Sequence, residues 1–225
     1  MTQTKKAPFD TARQNMVDCQ IRPNGVFEPT IINAFETIPR EIFAPEQSKD
    51  IAYMDEDLAI GGGRYMIEPR AHAKMLNALD ITPQDVVLDI GGATGYSAAI
   101  LSQICQTVIA VEQDQALLDL AQTHWDTLDI GNIASYQGDH AAGDNAHAPF
   151  DKIFIGGACP DIPHPLTEQL RPDGKMVFVL KEEGHRMGFA TLVQRSKTGH
   201  ISSKQLFEVT CPLLIGFSAP TAFSF

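Results

Sequence analysis

The sequence has no C-x-x-C pair, no long apolar run and no excess of basic charge. Its four cysteines, Cys19, Cys105, Cys159 and Cys211, stand 86, 54 and 52 residues apart, which argues against a zinc knuckle or a redox pair. They read as buried free thiols in a reducing compartment, so the chain is expected to be cytoplasmic. The longest strictly apolar run is the five residues Met176 to Leu180, against about 20 for a helix that spans a bilayer. Lys5 and Lys6 have no apolar stretch behind them, so the first residues do not read as a secretion signal. Lysine and arginine number 17 against 28 acids, a net charge of −11. That balance argues against nucleic acid or an anionic membrane as partner, because both usually require a basic face. His147, His164, His185 and His200 lie in polar stretches and suggest no metal site.

What remains is an ordinary globular composition, 44% apolar and 20% charged over 225 residues, enough to build a core without disulfides or metal. Residues 1 to about 80 are irregular and broken by prolines. Within them Ile31, Ile32, Ala34, Phe35 and Ile38 predict a short helix capped by Thr30 and ended before Pro39. Asp57 to Pro69, with Gly61, Gly62 and Gly63, reads as a loop. From Asp85 the pattern alternates strand and helix. Val86–Ile90, Val108–Val111, Ile153–Ile155 and Met176–Leu180 are near-continuous apolar runs that suit parallel strands covered on both faces, and Ile133–Gln137 is a further strand. Leu117, Leu120, Ala121, His124 and Leu128 recur at helical spacing as a crossover helix. The alternation predicts a doubly wound α/β sheet. Two runs, Ala190–Arg195 and Ser202–Val209, would add an antiparallel hairpin at its edge. The apolar tail from Cys211, ending in Phe223 and Phe225, is expected to pack on the body.

The segment carrying chemistry is Asp89-Ile90-Gly91-Gly92-Ala93-Thr94-Gly95-Tyr96, directly after the first of these strands. Glycines at a strand-to-helix turn let a ligand approach the backbone and the amides of a helix N-terminus. A nicotinamide dinucleotide fingerprint needs glycine at the position of Ala93, and the Asp89 carboxylate would repel a pyrophosphate. It would attract a cation, such as an ammonium or a sulfonium. The pattern resembles motif I of class I S-adenosylmethionine methyltransferases. Glu112, with Gln113 beside it, ends the second strand, where an acid accepts hydrogen bonds from ribose hydroxyls. Gly138-Asp139-His140 follows the third strand, where an acid would face an adenine amino group.

The N-terminal half narrows the likeness. The stretches Ile38-Pro39-Arg40-Glu41-Ile42-Phe43-Ala44-Pro45-Glu46 and Ala52 to Gly61 resemble the protein-L-isoaspartate O-methyltransferase family, as do Phe150 to Pro160 and Leu170 to Lys175. This resemblance implies a seven-stranded, mostly parallel Rossmann-like sheet. A helical cap and active-site loop over residues 1–80 would precede a cofactor-binding domain over 81–225. It implies S-adenosyl-L-methionine as cofactor, bound at Asp89, Gly91, Gly92, Ala93, Gly95, Tyr96, Glu112, Gln113, Gly138, Asp139 and His140. It also implies methyl transfer to the α-carboxylate of isoaspartyl residues in damaged proteins.

Two loops depart from the family pattern: after Leu180, Lys181-Glu182-Glu183-Gly184 stands where a Pro-Val-Gly turn is usual, and the loop before Pro69 differs as well. Where Gly-x-x-Ile-Ser-x-Pro is usual, this chain reads Gly63-Arg64-Tyr65-Met66-Ile67-Glu68-Pro69, so Ile67 stands at the serine that contacts the substrate carboxylate. Arg64, Tyr65 and Arg70 are the candidate replacement donors, unless the arginines are solvated or paired with Glu68. His72 matches a histidine often found after that proline and is a candidate cofactor contact. Isoaspartyl transfer is therefore expected to be slow, and a small-molecule methyl acceptor or non-catalytic cofactor binding are the alternatives.

Overall fold

The structure is a computed structural model that describes residues 8–217. The N-terminal helix α1 (Pro8–Met16) runs into a π-helical turn, Val17–Ile21, and a 3-10 turn, Arg22–Asn24. Helix α2 (Pro29–Thr37) follows, and Ile31, Ile32, Ala34 and Phe35 form its buried face. Pro29 takes the first turn, where its missing N–H costs nothing. Glu28 is therefore the N-cap, and Thr30 is not the cap that the spacing suggests. Two more 3-10 segments, Arg40–Phe43 and Glu46–Ile51, lead to a hairpin of β1 (Leu58–Gly61) and β2 (Arg64–Met66). Sequence predicts only a loop here. The three glycines are the turn of the hairpin, with φ of 101°, 59° and 73°. Only glycine adopts such values freely.

Helix α3 (Pro69–Leu79) precedes the main sheet: β3 (Val86–Ile90), α4 (Tyr96–Ser102), β4 (Thr107–Glu112), α5 (Gln115–Thr127) and β5 (Ile133–Gln137). Then come β6 (Phe150–Cys159), the short α6 (His164–Glu168) and β7 (Leu170–Leu180). The edge hairpin is β8 (Met187–Arg195) and β9 (Ile201–Thr210). The seven strands run in the order β5-β4-β3-β6-β7-β8-β9, parallel up to β7 and antiparallel beyond. The doubly wound sheet and its hairpin are as the alternation predicts, and all seven strands expected from the family likeness are present.

Alternation along each strand divides the core. Val87, Val108, Ala110, Phe154, Val177 and Val179 share one apolar cluster with Met16, Phe35, Phe43, Leu76 and Trp125. Leu88, Ile90, Ile109, Ile153, Ile155 and Phe178 share the other with Leu166 and Leu214. The inward stripe of α5 is Leu118, Ala121 and Trp125, while Leu120 is 43% exposed, so the expected face is rotated by one residue. The indole explains the rotation: Trp125 Nε1 donates to the Gly95 carbonyl at 2.9 Å, which turns that ring toward the sheet. Cys105, Cys159 and Cys211 are buried free thiols, but Cys19 is exposed. Among the described residues no helix is long and apolar enough to cross a membrane. Of the C-terminal tail, Cys211 to Phe217 lies against the strand ends, whereas Phe223 and Phe225 fall outside the described residues.

Candidate functional site at the strand switch point

The order of the strands reverses between β3 and β6, and there the carboxyl ends of a doubly wound sheet leave a crevice. The turn from β3 into α4 lines it. Gly91 N donates to the Val111 carbonyl at 2.9 Å, and Gly95 N to the Gly92 carbonyl at 2.9 Å, so the turn is pinned to β4 and closed on itself. Gly95, at φ 94°, begins α4 directly above Trp125. A Cβ there would lie 2.7 Å from Trp125 Nε1 and 2.8 Å from Ala121 Cβ. Gly92 is as crowded, with Asp89 Oδ2 2.6 Å from the place of a side chain.

Asp89, next to last in β3, is buried. Its Oδ2 accepts from Ser97 Oγ at 2.7 Å, and its Oδ1 has no partner. Burial pushes the carboxyl up to about 7, with a hydrogen bond from Ser97 opposing and the nearby Glu112 charge adding to the rise. Three more buried polar atoms of the cap and the glycine turn lack partners, His72 Nε2, the Tyr96 hydroxyl and an Nη of Arg40, whose guanidinium lies over the Tyr96 ring. His72 and Tyr96 sit 5.7 Å apart, ring to ring, and line a small cavity with Ile67, Gly91, Gly92 and Phe154. Burial and the charge of Arg40 hold the His72 imidazole down to about 3, so it is neutral.

Glu112 ends β4, and its carboxylate is saturated. Arg64 grips it with both terminal guanidinium nitrogens, at 2.5 and 2.8 Å, while the amides of Ala93, Gln113 and Asp114 donate at 3.0, 2.9 and 3.1 Å. Burial alone would raise this carboxyl. The hydrogen bonds from His140 and Arg64, with the charge of Arg64, outweigh that and hold it down to about 2. This corrects the reading of Arg64 as a solvated or substrate-facing side chain: it is buried and also donates to the Gly91 carbonyl at 2.9 Å. Arg70 does pair with Glu68, at 2.7 Å. Tyr65 is 37% exposed at the mouth of the small cavity, and Ile67 is buried in its wall.

Past β5, Gly138 N donates to the Glu112 carbonyl at 3.0 Å. Asp139 is exposed and accepts from Gln113 Nε2 at 3.1 Å. His140 is buried; its Nδ1–H donates to the Ile215 carbonyl at 2.7 Å, and its Nε2 lies 3.3 Å from Glu112 Oε1 and 3.2 Å from Gln113 N. The structure thus gathers Asp89, the glycine turn, Glu112, Gln113, Asp139 and His140 along one edge, with Arg64, Tyr65, Ile67 and His72 on the facing wall.

Sequence reasoning gave no role to Arg40, which is fully buried. Its Nε donates to the Ala52 carbonyl at 2.7 Å and an Nη to the Ile67 carbonyl at 2.9 Å, and its guanidinium lies 4.8 Å from the Tyr96 ring centroid. An arginine between the buried Ile38 and Phe43, in the Pro-Arg-Glu-x-Phe-x-Pro block, was the available signal, since a buried guanidinium requires partners. Leu214 was also missed, and no local pattern marks it.

Fold and site together define a Rossmann-like α/β protein with a glycine turn and strand-end acids at its switch point. A sequence model of the family "Protein-L-isoaspartate(D-aspartate) O-methyltransferase" matches residues 11–214, and the chain belongs to that family. A protein-L-isoaspartate O-methyltransferase of Roseiflexus sp. (strain RS-1) is 35% identical over 95% of this chain and 96% of its own length. Protein-L-isoaspartate O-methyltransferase 1 of Rhodopseudomonas palustris (strain HaA2) is 35% identical over 92% of this chain and 84% of its own. A solved protein-L-isoaspartate O-methyltransferase superposes with a TM-score of 0.78 at 24% identity, over 90% of this chain and 65% of that chain. A Plasmodium falciparum protein described as belonging to the same family, solved with S-adenosyl-L-homocysteine, gives 0.74 at 19% identity, over 94% of this chain and all of that chain. These two likenesses confirm the fold.

Proposed function

We propose that the chain is an S-adenosylmethionine-dependent carboxyl O-methyltransferase acting on isoaspartyl residues of damaged proteins. Family membership over residues 11–214 carries this reading. The residues present fit such a cofactor. His72 and Tyr96, with Nε2 and hydroxyl unpartnered, line the small cavity, and Asp89, with Oδ1 unpartnered, is bonded to a third lining residue, Ser97, so a charged amino-acid moiety would find partners there. Glu112 ends the next strand, where an acid meets ribose hydroxyls. When bound, the cofactor supplies an electrophilic methyl group on a sulfonium. The residues of this chain orient, shield and hold charge. Ionised Asp89 would complement the cationic end of the cofactor, and Phe154 and Ile67 keep water from the cavity. The acceptor carboxylate is already ionised at neutral pH, so no general base is required. Its orientation falls to the loop of β2. Ile67 offers no donor there, and Arg64 is engaged by Glu112, which leaves the Tyr65 hydroxyl at the mouth. The four unpaired cysteines support a cytoplasmic setting.

The test uses labelled S-adenosylmethionine, an isoaspartyl peptide and its aspartyl twin. Transfer is expected to the isoaspartyl peptide alone, slower by about 10²–10³ than in a family member with serine at the position of Ile67. Transfer to neither peptide, with the cofactor bound, would replace this reading with a methyltransferase for another acceptor or with non-catalytic cofactor binding.

A further inference from the structure

We propose that Arg64 and the segment Cys211–Phe217 form an internal competitor for the cofactor, a strap seated in the adenosine half of the cleft that must leave before the cofactor enters. The proposal rests on the cofactor reading above. The side chain of Leu214 fills the space that the glycines leave open. Its methyl carbons lie 2.6 and 2.9 Å from where a Cβ on Gly91 would stand, and its Cβ lies 2.7 Å from the equivalent point on Gly157. Leu214 N donates to the Ala158 carbonyl at 2.8 Å, and Ala158 N donates to the Pro212 carbonyl at 2.9 Å, so the strap adds one parallel rung to the end of β6. The Ile215 carbonyl takes the Nδ1 proton of His140. Strap, β6 and hairpin meet around a second small cavity lined by Arg64, Ile67, Gly156 and Leu214.

Arg64 closes the same half from the other side. A carboxylate offers about four lone-pair sites. Glu112 already receives five donors, two of them from Arg64. Ribose hydroxyls can reach it only after Arg64 withdraws. Both competitors are built to move. The strap is tied by one parallel rung and by His140 and Lys181 on the Ile215 and Cys211 carbonyls, with no longer ladder to β6, and Ile215 on it is 52% exposed. Arg64 begins a strand of three residues directly after a turn of three glycines. The methionine half is different: the unpartnered polar atoms of His72 and Tyr96 belong to the lining of a small cavity that is already formed. A ligand whose competent state is only partly populated binds more weakly by that fraction.

The experiment titrates S-adenosyl-L-homocysteine into the full chain, Arg64→Gln and Leu214→Ala by calorimetry, and follows amide exchange of the native chain with and without the ligand. Each variant is expected to bind about tenfold tighter than the native chain. The Leu214 and Ala158 amides should exchange faster in the presence of ligand while those of the glycine turn slow down. Arg64→Gln alone decides the affinity arm if Leu214→Ala fails to fold. Affinities within twofold of each other, or slower exchange over residues 211–217 on binding, would overturn the strap and leave the cofactor reading standing. No binding by the native chain or by Arg64→Gln would overturn both.

Discussion

Two buried titratable groups at the cleft should give this protein opposed pH responses, and single substitutions separate them. His72 titrates at about 3 in the folded chain against an ordinary 6.5, held down by burial and by the charge of Arg40. Below pH 6.5 the unfolded chain therefore takes up a proton that the folded chain refuses, so this group lowers stability as pH falls. At pH 5 the loss is 1.5 pH units at 1.36 kcal/mol each, about 2 kcal/mol. Asp89 works in the other direction. Burial lifts it from 3.8 to about 7, so the folded chain keeps a proton that the unfolded chain releases. Between those values stability falls as pH rises, by about 3 kcal/mol from pH 5 to pH 8. The two slopes oppose one another between about pH 4 and 6.5. His72→Phe removes the first, and the new ring joins Phe35, Tyr96 and Phe154, whose centroids lie 5.0–5.7 Å from the imidazole. Asp89→Asn removes the second. Urea unfolding of the native chain and both variants at pH 5 and pH 8 reads the result. Relative to native, His72→Phe should gain about 2 kcal/mol on going from pH 8 to pH 5. Asp89→Asn should gain about 3 kcal/mol on going from pH 5 to pH 8. Offsets that stay constant within about 0.5 kcal/mol across that range would refute the argument from burial.

Long regular features were legible from local pattern, and contacts between distant residues were not. The runs Val86–Ile90 and Val108–Val111 announce buried parallel strands because both faces of each are covered, which leaves no room for polar alternation. Asp89 and Glu112 could be placed at the crevice because a residue at a strand end has its position fixed by the strand. The hairpin of β1 and β2 was misread as a loop because its strands are only four and three residues long, too short to display a period of two. The pairing of Arg64 with Glu112 spans 48 residues, and the seating of Leu214 on Gly91 spans 123. Neither leaves a periodicity behind. The loop sequence marks Ile67 as lacking a donor; only the structure shows that Arg64, three residues before it, is buried against Glu112 and the Gly91 carbonyl.

The remaining predictions concern the turn, the cofactor and the loop. Trp125→Phe loses the bond to the Gly95 carbonyl and should cost about 2 kcal/mol, lowering Tm by roughly 4–8 °C in a thermal scan; an unchanged Tm would show that the indole does not hold the turn. Gly95→Ala places a methyl against that same ring at φ 94°, so its folded yield and Tm should fall further than those of Trp125→Phe. S-adenosylmethionine should bind up to about tenfold more tightly at pH 7.5 than at pH 6, because a cationic ligand requires Asp89 ionised and that carboxyl titrates at about 7. A flat calorimetric profile would place the cationic end of the ligand elsewhere. Ile67→Ser tests the loop itself. Arg40 holds the Ile67 carbonyl at 2.9 Å from the far side, so the backbone should stay in place when the side chain shrinks. The cost is a buried aliphatic group replaced by a small polar one, about 2–4 kcal/mol of stability. The new hydroxyl would stand in the wall shared with Tyr65 and His72. Glu68 next to it is paired with Arg70 at 2.7 Å, and that pairing blunts its repulsion of an anionic acceptor. A donor restored to the acceptor carboxylate should therefore raise kcat/KM for the isoaspartyl peptide by at least about tenfold, and toward 10² if Tyr65 supplies little. Transfer assays on Ile67→Ser and on Ile67→Ser with Tyr65→Phe separate the two donors. If kcat/KM does not rise in either, the missing hydroxyl is not what limits this enzyme, and the acceptor it evolved for is not an isoaspartyl carboxylate.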